Sequence, residues 1–213
     1  MPIGPKLLKG ALIVFETTKP IPTNLIVFQY NPESVSRSFR AQTSEPDPTR
    51  NAGDTQRALP PTESLSMSVE LDAADQLDLG NPVAIISGLH PALAALELLL
   101  YPPSTDVILG KVLAAVGSRR VAPAKVPMVL LFWGALRIVP VRVESVSVVE
   151  RAFDQLLNPI QATVDLGLRT LTEKELQLAG PPFDTLALVQ LVGKEVLART
   201  NIFNVGVEFA VSL

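Results

Sequence analysis

Two segments of the chain place a serine at every second position. Residues 34–40 read Ser-Val-Ser-Arg-Ser-Phe-Arg, and residues 64–71 read Ser-Leu-Ser-Met-Ser-Val-Glu-Leu. Because successive side chains of a β-strand point to opposite faces, each segment has one serine face and one mainly apolar face. If both strands join one sheet, its serine side fits the wall of a water-filled channel. The residues predicted to face this channel are Ser34, Ser36, Ser38, Ser64, Ser66 and Ser68.

The remaining sequence predicts a mainly β (α+β) fold. Of the 213 residues, 47 % are hydrophobic, which is enough for a core. Short apolar strands recur in both halves, and a leucine-rich helix is predicted over residues 90–101. In residues 136–149 the apolar phase shifts by one, which indicates a β-bulge or a sharp bend. We expect a β-barrel or sandwich with flanking helices, because closure of a sheet removes its exposed edges.

Two domains are predicted. The main β domain covers residues 1–175 and includes a polar, proline-rich arm over residues 41–62. The C-terminal extension, residues 176–213, holds an amphipathic helix and then a final strand in which Phe203, Val205 and Val207 alternate with other residues. We expect this extension to dock on a neighbouring protein.

Composition and motifs exclude most chemistry. The 18 basic and 21 acidic residues give no nucleic-acid footprint, and a chain with one histidine and no cysteine is a poor zinc ligand. No signal peptide, membrane span, phosphate loop or nucleophile elbow is recognisable. We therefore expect no catalytic residue, no cofactor, no metal and no direct membrane insertion. Asp72, Asp75 and Asp78 suggest calcium, but their loop lacks the glycine and glutamate of an EF-hand.

Arg37 is the one charged residue on the mainly apolar face of its strand. It shares that face with Val35 and Phe39, which should point inward. The arginine either pairs with an acid at the core edge of its own chain or reaches a carboxylate of a neighbouring subunit in bidentate fashion. The sequence leaves both alternatives open.

Several motifs occur in a familiar order. Phe-x-Tyr-Asn-Pro-Glu-Ser (28–34) and the serine strands precede Leu-Leu-Tyr-Pro-Pro (99–103), and Pro-Met-Val-Leu-Leu-Phe-Trp-Gly (127–134) precedes Phe-Asp-x-x-x-Asn-Pro-Ile-Gln-Ala-Thr-Val-Asp-Leu (153–166). This order resembles the tube-like domain of the baseplate and tube-initiator proteins of contractile injection systems, which are phage-tail-like particles. The resemblance covers residues 8–175. Related members often carry a LysM module, which is not expected in this extension.

The resemblance implies a structural protein that assembles as a homo-hexameric ring with its inner strands lining the lumen. Implied partners are the inner tube or a second tube-initiator protein, the spike protein, and other baseplate or sheath components. Assembly is expected in the cytoplasm of the producing bacterium, into a particle that is retained or released. The residues expected to make subunit contacts are Tyr30, Asn31, Pro32, Arg37, Arg50, Asp54, Arg57, Phe203, Val205 and Val207.

Two alternatives accompany this adaptor hypothesis. A bulk inner-tube subunit would use the same features, but in many rings rather than one. A monomeric small-ligand-binding β-barrel would instead enclose the serine face around a cavity. An enzyme ranks third, because the sequence hardly offers a general base.

Overall fold

The computed structural model describes residues 8–15, 21–42, 59–116 and 126–211, with the backbone alone for residue 59 and residues 202–211. The chain divides into two compact units, Met1–Thr170 and Leu171–Leu213. The first unit holds all the described strands, and the second is helical.

The first unit is built on one antiparallel sheet of seven strands. Their order across the sheet is β2-β1-β5-β6-β7-β4-β3, so the mainly β class is confirmed. Within the described residues β2 and β3 each pair with a single neighbour, so backbone hydrogen bonding leaves two edges rather than a closed cylinder. The strands are β1 (Ala11–Phe15), β2 (Pro22–Val27), β3 (Val35–Gln42), β4 (Leu59–Asp72), β5 (Met128–Phe132), β6 (Ile138–Phe153) and β7 (Pro159–Thr170).

Helices fill the connection between β4 and β5. The predicted helix over residues 90–101 is present, because α3 continues into a 3-10 turn over Leu98–Leu100 before the Pro102-Pro103 pair. The helices of the first unit are α1 (Ala74–Asp78), α2 (Pro82–Ser87), α3 (His90–Glu97) and α4 (Ser104–Ala115). The second unit contains α5 (Glu173–Ala179), a 3-10 turn over Phe183–Thr185, and α6 (Leu186–Val211).

The core of the first unit lies on the apolar face of the sheet. Alternation along β4 buries Leu65, Met67 and Val69, while α3 contributes Leu93 and Leu96 to the same cluster. Burying each such side chain stabilises the fold by about 1.5–3 kcal/mol. The core therefore fixes which face of β4 points outward.

The bulge predicted in β6 is confirmed. The pairing of β6 with β7 shifts between Val143 and Ser145, so Glu144 is the extra residue. Val143 is buried before the shift, whereas after it the even-numbered Val146 and Val148 pack against the core. The bulge thus turns Ser145 to the face opposite the core.

The predicted C-terminal strand is wrong. Residues 201–211, which include Phe203, Val205 and Val207, continue α6 without a break. No proline interrupts Leu186–Val211. Once a helix is nucleated, each added residue gains a hydrogen bond, so a short alternating run does not end it.

The predicted arm is shorter than residues 41–62. Its first two residues belong to β3 and its last four belong to β4. Arg50, Asp54 and Arg57 lie outside the described residues. The inward position expected for Phe39 is also wrong: its side chain is 51 % exposed, because β3 lies at the sheet edge and is exposed on nearly all its length.

Candidate functional site

A polar face extends across four adjacent strands, β3, β4, β7 and β6, on the side of the sheet away from the core. The predicted serine strands pair directly, with Ser36 opposite Ser66 and Ser38 opposite Ser64. We call this surface the polar face; it comprises Ser36, Ser38, Arg40, Thr62, Ser64, Ser66, Ser68, Glu70, Asp72, Arg142, Glu144, Ser145, Ser147, Arg151, Gln161, Thr163, Asp165, Gly167 and Arg169, and it also carries the exposed Val149 opposite Thr163.

The middle of the polar face carries small, uncharged residues. Ser36, Ser66 and Ser145 are exposed, and Gly167 lies between the last two in register. Ser34 is exposed immediately before β3. All predicted serines are therefore exposed, while their position in a channel stays a prediction.

Because Gly167 has no side chain, the hydroxyl of Ser145 on the neighbouring strand has room over the middle of the polar face. A Cβ at this position would collide with the Oγ of Ser145 on β6. A shallow groove of about 280 Å³ follows the same row and is lined by Ser36, Ser66 and Glu144 among others. Sequence reasoning missed Gly167 and Ser145, because the register of β6 against β7 depends on the bulge.

Arg37 lies on the opposite face and pairs within its own chain. Its Nε and Nη2 lie 2.7 Å and 2.6 Å from Oε1 of Glu63. The guanidinium carbon lies 4.9 Å from the centre of the Phe39 ring. Thr170 Oγ1 donates to the backbone carbonyl of Glu63 over 3.1 Å. The same-chain alternative thus describes this arginine, and a contact with a neighbouring subunit stays a prediction.

Charge on the polar face is separated between the two ends of the strands. We call one end the basic end; it carries three arginines and one glutamate, which are Arg40, Arg142, Arg169 and Glu144. Arg169 Nε donates to Glu144 Oε1 over 2.8 Å. We call the other end the acidic end; it carries three carboxylates and one arginine, which are Glu70, Asp72, Asp165 and Arg151.

The acidic end contains a pocket of about 320 Å³. Tyr30, Glu70, Asp72 and Gln161 are among its lining residues. The Asp72 carboxylate is held in place, since it accepts from Ala74 N at 2.7 Å and from Gln161 Nε2 at 2.9 Å. This pocket therefore presents a fixed carboxylate beside an exposed one, a half-exposed tyrosine and Arg151.

Asn31 of the Tyr-Asn-Pro turn makes its hydrogen bonds within its own chain. The side chain accepts from Gly10 N at 2.8 Å and donates to Leu8 O at 2.9 Å, which fixes the start of β1. Tyr30 is 48 % exposed and Pro32 is half-buried. Contacts of this turn with another subunit stay a prediction.

The turn between β6 and β7 is closed by Asp154. Its carboxylate accepts from the side chain and backbone N of Asn158 at 2.8 Å and from Leu156 N at 2.7 Å. These hydrogen bonds, led by that from the Asn158 side chain, hold the pKa of Asp154 below its ordinary 3.8. Asn158 also donates to Ile86 O at 3.1 Å, which ties the turn to α2.

Within the described ranges, no group of three or more acidic, histidine or cysteine side chains is arranged to hold a metal ion. No single helix in that part of the chain has the length and apolarity needed to cross a membrane. Only α3 with its 3-10 turn, taken together with α4 across a 49° bend, reaches the required composition.

Neither a family model nor a curated protein matches the chain. One similar solved chain comes from the tail of an empty GTA particle refined with helical, C6 symmetry: it is 12 % identical, the match covers 75 % of this chain and 89 % of that one, and the TM-score is 0.31. Another comes from the virion of a native gene transfer agent (GTA) particle, with 13 % identity, coverage of 75 % and 90 %, and a TM-score of 0.29. Both similar chains are parts of tail or virion particles.

Proposed function

We propose that this chain is a structural, non-enzymatic ring protein of a phage-tail-like contractile injection particle. In this proposal it forms a hexameric adaptor that joins the spike to the inner tube. The observation that carries the proposal is the polar face, where exposed serines of β3, β4 and β6 lie in register with Gly167 of β7. A channel wall of small, uncharged hydroxyl side chains offers little apolar surface or charge to bind molecules that pass through it.

Strand edges on both sides of the polar face support closure into a ring. The outer edge of β3 is open, and β5 pairs with only Ile138–Val141 of the long β6 within the described residues. Neighbouring strands from β3 to β6 alternate in direction. A β3 from one copy laid beside the rest of β6 in the next copy is therefore antiparallel, as edge-to-edge pairing favours. Many strands joined in this way enclose a channel.

The position of the serines disfavours a monomeric ligand-binding barrel. Such a barrel needs Ser36 and Ser66 around an internal cavity, whereas both are exposed on the outer side of the sheet. The second unit favours docking on another component, because Leu188, Val192 and Val196 of α6 are about half exposed or more. A bulk tube subunit remains the second candidate, since it needs the same polar face.

A size-selective labelling experiment tests the channel. The chain has no cysteine, so Ser66→Cys gives a single thiol on the polar face and Glu97→Cys gives a matched thiol on α3. In assembled particles, a small maleimide should label both variants. A maleimide coupled to a protein too large for the channel should label only Glu97→Cys. Equal labelling of both variants by the large reagent contradicts the channel. The number of rings per particle separates the two candidates: one ring identifies the adaptor, and many rings identify the bulk tube subunit.

A further inference from the structure

We propose that the turn between β6 and β7 is a preformed docking element, which inserts Leu156 and Leu157 into an apolar pocket, bordered by basic side chains, of a different component of the particle. We call this segment, residues 154–158, the leucine turn. The inference rests on the proposed function, because the ends of β6 and β7 then lie on a rim of the ring. It names the residues by which the adaptor holds the next component.

The leucine turn and the helix beside it expose large apolar side chains. Leu156 is 74 % exposed and Leu157 is 77 % exposed. Ile86 of α2 is 71 % exposed, and its backbone carbonyl accepts from Asn158 Nδ2 over 3.1 Å. Exposed apolar side chains on adjoining segments mark an interaction site, whereas single exposed ones are ordinary surface.

Leu157 has a backbone conformation that a leucine avoids. Its φ of 64° lies in the left-handed region, which favours glycine because a Cβ is crowded there. Hydrogen bonds hold the turn in this shape: Leu157 N donates to the backbone carbonyl of Asp154 over 3.1 Å. The Asp154 carboxylate accepts from Leu156 N and Asn158 N. Since this exposed side chain adds little burial to its own chain, a partner that buries it accounts for the strained leucine.

Rigidity suits the leucine turn to binding. Besides the hydrogen bond from Asn158 to α2, Leu89 N at the start of α3 donates to Pro159 O over 2.9 Å. A segment that is already held in one shape loses little conformational entropy when it docks. Apolar side chains that enter a pocket can then contribute most of the binding free energy of the interface.

The charges near the leucine turn indicate the kind of partner. Glu150 precedes the turn and Asp154 lies within it, while the acidic end of the polar face adds three carboxylates and Arg151. Carboxylates therefore outnumber cations among these groups, and a pocket bordered by lysine or arginine is complementary to them. An identical rim of a second copy is repelled. Because the proposed adaptor forms a single ring, the partner is a different component.

Substitutions of the two leucines separate docking from folding. Leu157→Gly removes the apolar side chain and suits the positive φ, so the urea midpoint of the purified chain should be at least that of wild type. Incorporation, measured as copies of the chain per particle, should fall at least about tenfold because an anchor residue is lost. Leu156→Ser should give the same loss without altering the strained residue. Wild-type incorporation of both variants overturns the docking.

A matched control and a photoreactive group identify the contact. Leu98→Ser changes a leucine that is 61 % exposed on the 3-10 turn after α3, and should be incorporated like wild type. Benzoylphenylalanine in place of Leu156 should crosslink, in intact particles, to apolar residues of a different component near lysine or arginine. Crosslinking only to a second copy of this chain, or to no protein, overturns the docking.

Electron microscopy of wild-type particles tests the proposed function separately. Absence of rings of this chain from the particles contradicts the proposed function itself. Rings whose incorporation is independent of Leu156 and Leu157 contradict only the docking by the leucine turn.

Discussion

Arg37 Nη2 lies 2.6 Å from Oε1 of Glu63, and only 5 % of the Glu63 side chain is exposed. The pair lies on the core-side face of β3 and β4, next to the strand edge, and the Arg37 side chain remains 30 % exposed. A nearly buried carboxylate depends on its cation, because desolvation is costly without a partner. The pair therefore stabilises a hairpin that supplies half the strands of the polar face.

Replacement of Arg37 by alanine should destabilise the monomer. The substitution removes the guanidinium that lies 2.6 Å from the nearly buried Glu63 carboxylate, and we expect the free energy of unfolding to fall by about 2–4 kcal/mol. The double variant Arg37→Ala with Glu63→Gln should recover part of that loss, since no charge stays behind. Urea unfolding measures both variants. Loss of ring assembly in Arg37→Ala without any change in unfolding would assign the arginine to the subunit interface instead.

Replacement of Gly167 by alanine should strain the contact between β6 and β7. The new Cβ collides with Ser145 Oγ, so we expect a loss of about 1–3 kcal/mol in unfolding free energy. Removal of the hydroxyl in the double variant Gly167→Ala with Ser145→Ala should restore most of the stability. A matched single variant, Ser145→Ala, should cost little because Ser145 is exposed. A Gly167→Ala variant with the unfolding free energy of wild type would contradict the close approach of Ser145 Oγ to Gly167.

Asp154 should make stability depend on pH in the acidic range. Because hydrogen bonds in the folded state lower its pKa from 3.8, the ionised carboxylate stabilises the fold fully at higher pH. That contribution is lost as the pH falls through the lowered pKa. Above about pH 4, where the carboxyl of Asp154 is ionised even in the unfolded chain, Asp154→Asn should therefore unfold more easily than wild type. The difference in stability between the two proteins should shrink as the pH falls below that value. Urea midpoints across pH, with Asp78→Asn as the control, measure this; a constant difference contradicts it.

The alternation of serine with apolar residues predicted which side chains of β4 point to the core, because β4 has a strict period of two and one clearly buried face. Whether β3 and β4 pair was left open by the sequence, and the structure shows that they do. The phase shift near Glu144 likewise predicted the bulge. The prediction of a strand at the end of the described chain was wrong. A run as short as residues 203–207 satisfies strand alternation by chance, whereas the helix that begins at Leu186 can simply continue through it.

The polar face could be predicted only in part. Ser64 and Ser66 lie on a strand whose alternation is visible in the sequence. The contributions of Gly167 and Asp165 depend on which strand lies beside β4, a long-range pairing that local patterns do not specify. The partner of Arg37 was hidden for the same reason, because Glu63 lies 26 residues away.

Adjacent residues of β4 should differ strongly in how much a threonine substitution destabilises the fold. Ser66 is exposed on the polar face, so Ser66→Thr should change the free energy of unfolding by no more than about 0.5 kcal/mol. Met67 is 5 % exposed and packs in the core, so Met67→Thr should cost about 2–5 kcal/mol through lost burial and an unsatisfied hydroxyl. Thermal and urea unfolding of the two variants give the comparison. Similar losses at both positions would mean that β4 does not separate a core face from an aqueous face, and the channel would lose its physical basis.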